Sequence, residues 1–360
     1  MKRPPHPRKL FYGWWIVGAG MGIQLLVGAL LFQAFGAYAA VLRDEFGWSK
    51  TIFSAAFSMG RVESGFLGPL QGWLIDRFGP RAVMRVGLVL FAVGFMLFSQ
   101  INSPLTFFLT FFLIAVGSSL GGFMALTVSI VNWFERRRAM ALGIMSSGLA
   151  VGGLLLPLII LSFGTWGWRN TAFASGVIIL VVGLPLTTFV RHRPEQYGDK
   201  IDGINAPRPR RAATPTQDRD FTAREALRTP AFWYISLGHA AALLVVSALM
   251  VHLVLHVNEK LGYSLATAGA VVALMTAFQI VGQIGGGFIG DRVDKRGILV
   301  ACMLGHATAL LLLAYATAFW MVALFAIIHG LSWGARGPLQ QALRADYFGR
   351  ASFGAIMGFS

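Results

Sequence analysis

The stretch Gly72-Trp73-Leu74-Ile75-Asp76-Arg77-Phe78-Gly79-Pro80-Arg81 joins two long apolar runs. A looser copy, Gly287-Phe288-Ile289-Gly290-Asp291-Arg292-Val293-Asp294-Lys295-Arg296, joins two more, 215 residues later. The copy keeps the first glycine, the aspartate and the arginine, and places Asp294 where the second glycine stood. A glycine at 72 lets two helices approach closely, and one at 79 lets the chain turn tightly. A carboxylate at 76 suits the free amides of a helix start, or an arginine on a facing element. These properties describe a latch. Its expected gating residues are Gly72, Asp76, Arg77, Gly79 and Arg81 in the first copy, and Asp291 and Arg292 in the second. The competing reading is a simple turn that carries positive charge.

The runs around these loops fix the fold class. Of the 360 residues, 56% are hydrophobic and only 12% charged, where a soluble domain carries about 25% charged residues. Apolar runs of about 20 residues span a bilayer, and only helices or closed barrels satisfy the backbone there. Ten continuous, non-alternating runs are predicted as helices, near 13–42, 51–75, 86–101, 104–132, 139–163, 170–190, 231–257, 264–289, 297–316 and 319–343. An eleventh begins near Phe353. The expected class is an all-α integral membrane protein. A single cysteine, Cys302, excludes a disulfide scaffold.

The net charge of +15 records orientation. With the N-terminus in the cytoplasm, 24 of the 30 basic residues fall in inside segments, which matches the positive-inside rule for an inner or plasma membrane. They are spread over six segments and build no nucleic-acid groove. Residues 191–230 hold 15 charged residues and five of the 14 prolines. They read as a linker between a bundle at 13–190 and a second at 231–360, after a tail at 1–12. Thr222-x-x-Glu225 in the linker reads as a capping box. A second internal match pairs Arg138-Ala139-x-x-x-Gly143-Ile144-Met145 with Arg350-Ala351-x-x-x-Ala355-Ile356-Met357, at an offset of 212. Two six-helix repeats follow. On that repeat the second bundle is expected to be incomplete here, by roughly 48 residues.

The loop motif, given twice at matching positions, resembles that of the major facilitator superfamily. Tyr12-Gly13-Trp14-Trp15, Glu45-Phe46-Gly47-Trp48-Ser49 and Asp346-Tyr347-Phe348-Gly349-Arg350 are similar to the monocarboxylate and oxalate/formate porter branch. The resemblance implies twelve helices in two bundles, alternating access, and a small organic anion often moved with a proton. One departure is that the branch often uses a basic residue in the eighth helix, whereas 264–289 carries no charge. Drug antiporters, a rival branch, carry a Gly-Pro pair in span five. Here Leu156 precedes Pro157, and the glycines at 143, 148, 152 and 153 read as helix-packing positions.

Three charges lie well inside spans: Arg61, Glu63 and Arg336. Burying each costs at least ~2.5–3.5 kcal/mol, so each invites a functional reading. Arg61 is about 15 Å into its span and is a candidate anion ligand; Glu63 is a candidate proton carrier. The alternative is a structural pair of charges satisfied by neighbouring helices. His329, Ser332, Trp333, Arg336 and Gln340 share one helix face. That makes His329, Trp333 and Arg336 candidate substrate ligands, with snorkelling to the interface as the alternative for Arg336. Gln24 and Gln33 in span one face opposite ways, and Gln24 is a further candidate ligand. His239 and His306 read as packing residues, and Cys302 as a small apolar filler.

No phosphate loop, zinc-protease helix or serine elbow occurs, so no enzyme activity and no cofactor are expected. The sequence reading is a gradient-driven transporter of a small organic anion, with a proton as the second partner. It would act as a monomer in the lipid bilayer. The alternative is efflux of drugs or another metabolite.

Overall fold

The structure is a computed structural model that describes residues 11–203 and 220–360, the side chains of Arg61, Ser64, Val251 and Leu265 excepted. Among the described residues it is helical, with no β-strand. Ten long helices follow in order: α1 Gly13–Phe46, α2 Lys50–Phe78, α3 Pro80–Phe98, α4 Pro104–Trp133, α5 Arg138–Trp166, α6 Trp168–Phe189, α7 Pro230–Leu255, α8 Leu265–Gly290, α9 Lys295–Ala314 and α10 Phe319–Phe348. The short α11, Phe353–Gly358, comes next.

Nine of these helices are long and apolar enough to cross a membrane. The exception is α2, whose hydropathy is lowered by Arg61, Glu63, Asp76 and Arg77. Its 29 residues rise about 43 Å, more than a bilayer core requires. Val62, Phe66, Leu70 and Trp73 are exposed along one of its faces, and Glu63, Gln71 and Ile75 are buried on another. The boundary of α3 also differs from expectation. It begins at Pro80, not near 86, because Gly79 turns the chain at a φ of 82° and Pro80 supplies a preset first helical position.

Several helices are not uniform. α1 holds a π-helical segment, Gly28–Gln33, and α5 a 3-10 segment, Gly152–Leu155. The two meet: a Cβ at Gly28 would strike the Leu149 carbonyl, and one at Gly152 would strike the Ala29 amide. Gly122 interrupts α4. α10 is one continuous helix with Pro338 inside it. Gly334 lets α10 press against the Gln279 carbonyl of α8.

The core of the first half is aromatic. Phe91, Phe95, Phe98, Phe107 and Phe111 pack with Tyr38 of α1. Glu45 pairs with Arg169 at 3.2 Å and accepts the Trp168 indole N–H, which ties the end of α1 to the start of α6. A separate cluster around Val257, Val271, Met275 and Phe325 forms the core of α7–α10. Thr222 and Glu225 form the capping box that the linker sequence predicts.

The α1–α5 crossing has no room for a side chain. Gly28→Val is expected to lower stability by about 1–3 kcal/mol, the usual cost of overpacking. Gly36→Val, at an open position of the same helix, should leave it unchanged. Thermal unfolding of the detergent-purified protein separates the two; equal melting temperatures would contradict the crossing.

Candidate functional site

Two groups of residues carry chemistry: a pair of carboxylate caps at the basic end of the bundle, and a polar cluster inside the second half.

The cap is built twice. At the end of α2, Asp76 accepts hydrogen bonds from the Gly354 and Ala355 amides of α11, at 3.1 and 2.8 Å. At the end of α8, Asp291 accepts from the Ala139 and Met140 amides of α5, at 2.9 and 3.0 Å. Each carboxylate therefore caps the second and third residues of a helix in the opposite half. Those amides have no partner within their own helix, and the positive helix end favours the anion. Burial pushes both carboxyls above their ordinary value, and the amides that each one accepts from pull the other way. Gly72 and Gly287 permit this approach: a Cβ at Gly72 would run into the Gly354 carbonyl, and one at Gly287 into the Ala139 carbonyl.

Both carboxylates and both pairs of amides are related by an offset of 215. The sequence match at 212 is thus three residues out of register with the caps. The two turns also differ. Gly79 needs its positive φ, whereas Asp294 has a φ of −63° and accepts from the Arg296 amide to start α9. Arg77 and Arg292 are exposed and lie over aromatic rings four residues back, Trp73 and Phe288. Arg81 donates to the Val190 and Thr188 carbonyls, so it holds the end of α6 within its own half.

Further residues join the halves at the same end. Asp346 of α10 pairs with Arg138 of α5 at 2.8 Å and with Lys295 at 2.7 Å. Arg350 pairs with Glu195 of the linker at 2.6 Å. Asp202, in a left-handed backbone conformation, accepts from the Glu135 and Arg136 amides, and Asp220 from those of Arg350 and Ala351. These two amide pairs are again 215 residues apart. The roles of Arg138 and of the linker aspartates were not legible from spacing, since they depend on which loops meet.

The second group is centred on Arg336, which is 2% exposed and does not snorkel. Its Nη1 lies 2.7 Å from His239 Nδ1 of α7 and 3.1 Å from Gln340 Oε1. Gln340 donates to the Ile235 carbonyl. Among the described residues no carboxylate pairs with Arg336, and its buried Nε has no hydrogen-bond partner. Two turns along the same helix, His329 Nδ1 lies 3.1 Å from His306 Nδ1 of α9. Trp333 sits between them in sequence, its ring 6.2 Å from that of His329. The structure therefore brings His329, Trp333 and Arg336 to one face, and sets beside them His239 and His306, which the sequence analysis reads as packing residues. It also adds Arg344, one residue past the span predicted at 319–343 and inside α10. Arg344 is 1% exposed and donates to Gln341 and Ser360. Its position four residues after Gln340 continues the polar stripe, and that spacing was the available signal.

The remaining candidates lie elsewhere. Gln24 is buried in the first half, against Gly148 and Gly122. Glu63 is 5% exposed and accepts from Gln71 at 3.4 Å. The side chain of Arg61 lies outside the described residues.

The Major Facilitator Superfamily model matches residues 9–360. The chain belongs to this superfamily. It is similar to an MFS-type transporter of Gibberella moniliformis, 29% identical over 80% of this chain and 64% of that relative. It is also similar to the oxalate:formate antiporter of Oxalobacter formigenes, 26% identical over 89% of this chain and 74% of the relative. A third relative, the agnestins efflux protein of Paecilomyces divaricatus, is 27% identical over 93% and 76%. Among solved structures, the human organic anion transporter MFSD10 covers 98% of this chain, which covers 90% of it, at a TM-score of 0.68 and 15% identity. The proton:xylose symporter XylE covers 97%, which corresponds to 86% of its own length, at a TM-score of 0.70 and 15% identity. The fold of this major facilitator protein is that of membrane transporters.

Each carboxylate cap is expected to be worth about 1 kcal/mol, a fivefold shift in the closed-to-open ratio. Asp76→Asn and Asp291→Asn, which leave one acceptor oxygen where two stood, should each loosen the basic end. Asp44→Asn, at the far end, should not. Spin-label distances between α2 and α11 measure this; identical distributions in all three variants would remove the latch.

Proposed function

We propose that this major facilitator protein is a secondary active transporter that takes a small organic anion at Arg336 and moves it with a proton by alternating access. Arg336 carries the reading: it is a guanidinium buried within a membrane helix, held by neutral partners, with a free Nε. A charge so placed is costly unless something completes it, and a carboxylate matches the guanidinium fork by paired hydrogen bonds. Trp333 and His329 extend the same face toward the opposite end. The name of the Oxalobacter relative favours the same substrate class.

The latch supplies the gating half of the proposal. The inter-half hydrogen bonds and ion pairs named above all lie at the basic end, so this conformation is read as closed there. In our reading that end is cytoplasmic and the membrane is the inner or plasma membrane, as the distribution of Lys and Arg favours. The bundles at 13–190 and 231–360 then rock about the site, with Asp202 and Asp220 of the linker each capping a loop of one half. A second reading, efflux of a larger metabolite, is favoured by the name of the Paecilomyces relative.

Proteoliposomes loaded with the full-length protein should take up labelled oxalate, formate or lactate, faster with an inward proton gradient. Arg336→Gln is expected to lose about 10- to 100-fold of binding, the worth of a charge-assisted pair; Arg336→Lys should retain part. Flux of cationic drugs with none of the carboxylates would replace this reading by the efflux one.

A further inference from the structure

The anion reading gives no role to the contact between His306 and His329. His306 and His329 are 2% and 0% exposed, on α9 and α10, and their Nδ1 atoms are 3.1 Å apart. Both Nε2 atoms are buried with no hydrogen-bond partner. At that separation one ring must donate Nδ1–H and the other accept it. The donor ring then holds a bare lone pair at Nε2, and the acceptor ring carries its own proton there. The pair thus has one vacant proton site and one bridging proton.

From this geometry we infer that His306 and His329 together are the proton-binding site of the transporter, and that a proton there and an anion at Arg336 favour each other. The step is simple to balance. One proton from water binds the vacant Nε2 lone pair, and no bond breaks. The bridging proton then sits on either Nδ1, so the charge spreads over both rings. A proton entering at one Nε2 can leave from the other, which makes the pair a relay between α9 and α10 as well as a store.

The surroundings explain the coupling. On α10 the facing groups are Ser332, Trp333 and Arg336; on α9, Cys302 and Gly305, the latter against Ser332. From α7, His239 reaches the cluster through Arg336. The face of α8 packed on α10 presents Gln279 and Gln283, which are uncharged. Among the described residues no carboxylate pairs with either histidine. The fixed charge nearest the pair is Arg336, about 10 Å along the helix axis; Arg344 lies two turns further along α10. A second positive charge is opposed until an anion neutralises the first. By linkage the effect is reciprocal. This inference rests on the anion reading for its coupling, but the protonation of the pair does not depend on it.

The test uses full-length protein in detergent, with oxalate and lactate as probes. Binding is followed by tryptophan fluorescence, and proton uptake by a pH indicator in weak buffer. Wild type should bind the anion about tenfold more tightly in acid than in base and take up close to one proton per anion. His306→Gln and His329→Gln should bind with no pH dependence and no proton uptake, while Glu63→Gln behaves as wild type. Retained uptake in both histidine variants, or loss in Glu63→Gln alone, overturns the inference. If neither probe binds, the anion reading fails and 15N-histidine NMR decides the pair. Two rings that titrate together, coupled through one bridging proton and uncoupled by His306→Gln, sustain the proton site. Rings that stay neutral down to pH 5 overturn it.

Discussion

A carboxylate set against the two free amides at the start of a helix from the other half is the interaction on which this structure depends. It is made twice, by Asp76 on α11 and by Asp291 on α5. Helix starts always leave such amides unpaired, so each cap supplies a partner that the helix itself lacks. Everything else at the basic end is arranged around these contacts. The glycines bring the backbones together, Asp346 joins Arg138 to Lys295, and the linker aspartates cap the preceding loops.

Much of this was legible in the sequence. The continuous apolar runs gave ten helices in order, and the doubled loop gave the family. What failed did so for local reasons. The start of α3 was placed late because Arg81 and Arg85 look like loop residues, although Gly79 and Pro80 mark a turn and a helix start. Arg344 was counted as a loop charge because it is close to a span end, although it continues the four-residue stripe of Arg336 and Gln340. His239 and His306 looked inert because their partners lie on another helix, and no spacing rule within one helix reveals that. The π segment of α1 is set by its crossing with α5, which single-helix periodicity does not encode.

The two halves are alike where they must meet and unlike where they need not. Asp, amide pair and close-approach glycine keep the 215-residue offset on both sides. The turn after them does not: Gly79 turns through the left-handed region, whereas Asp294 reaches the same position with ordinary backbone and caps its own helix. The polar cluster around Arg336 has no counterpart in the first half at the same offset, where residue 121 is a glycine. The symmetric elements serve the joint, and the asymmetric ones distinguish the two bundles chemically.

The glycine crossings have a consequence for how the seam parts. At Gly68 and Gly72 the α2 backbone lies directly on that of α11, and at Gly143 and Gly287 α5 lies on α8. Carbonyls in the middle of a helix are already bonded within it. Parting the seam at these glycines therefore breaks none of those helix hydrogen bonds, but it exposes Leu339, Phe353 and Met357, which pack in one apolar cluster with the first half. The polar toll falls on the four capped amides and the few ion pairs beside them, and water can replace the caps once it enters. The polar share of the bias toward this conformation is therefore set at one end of the joint, by those caps and ion pairs.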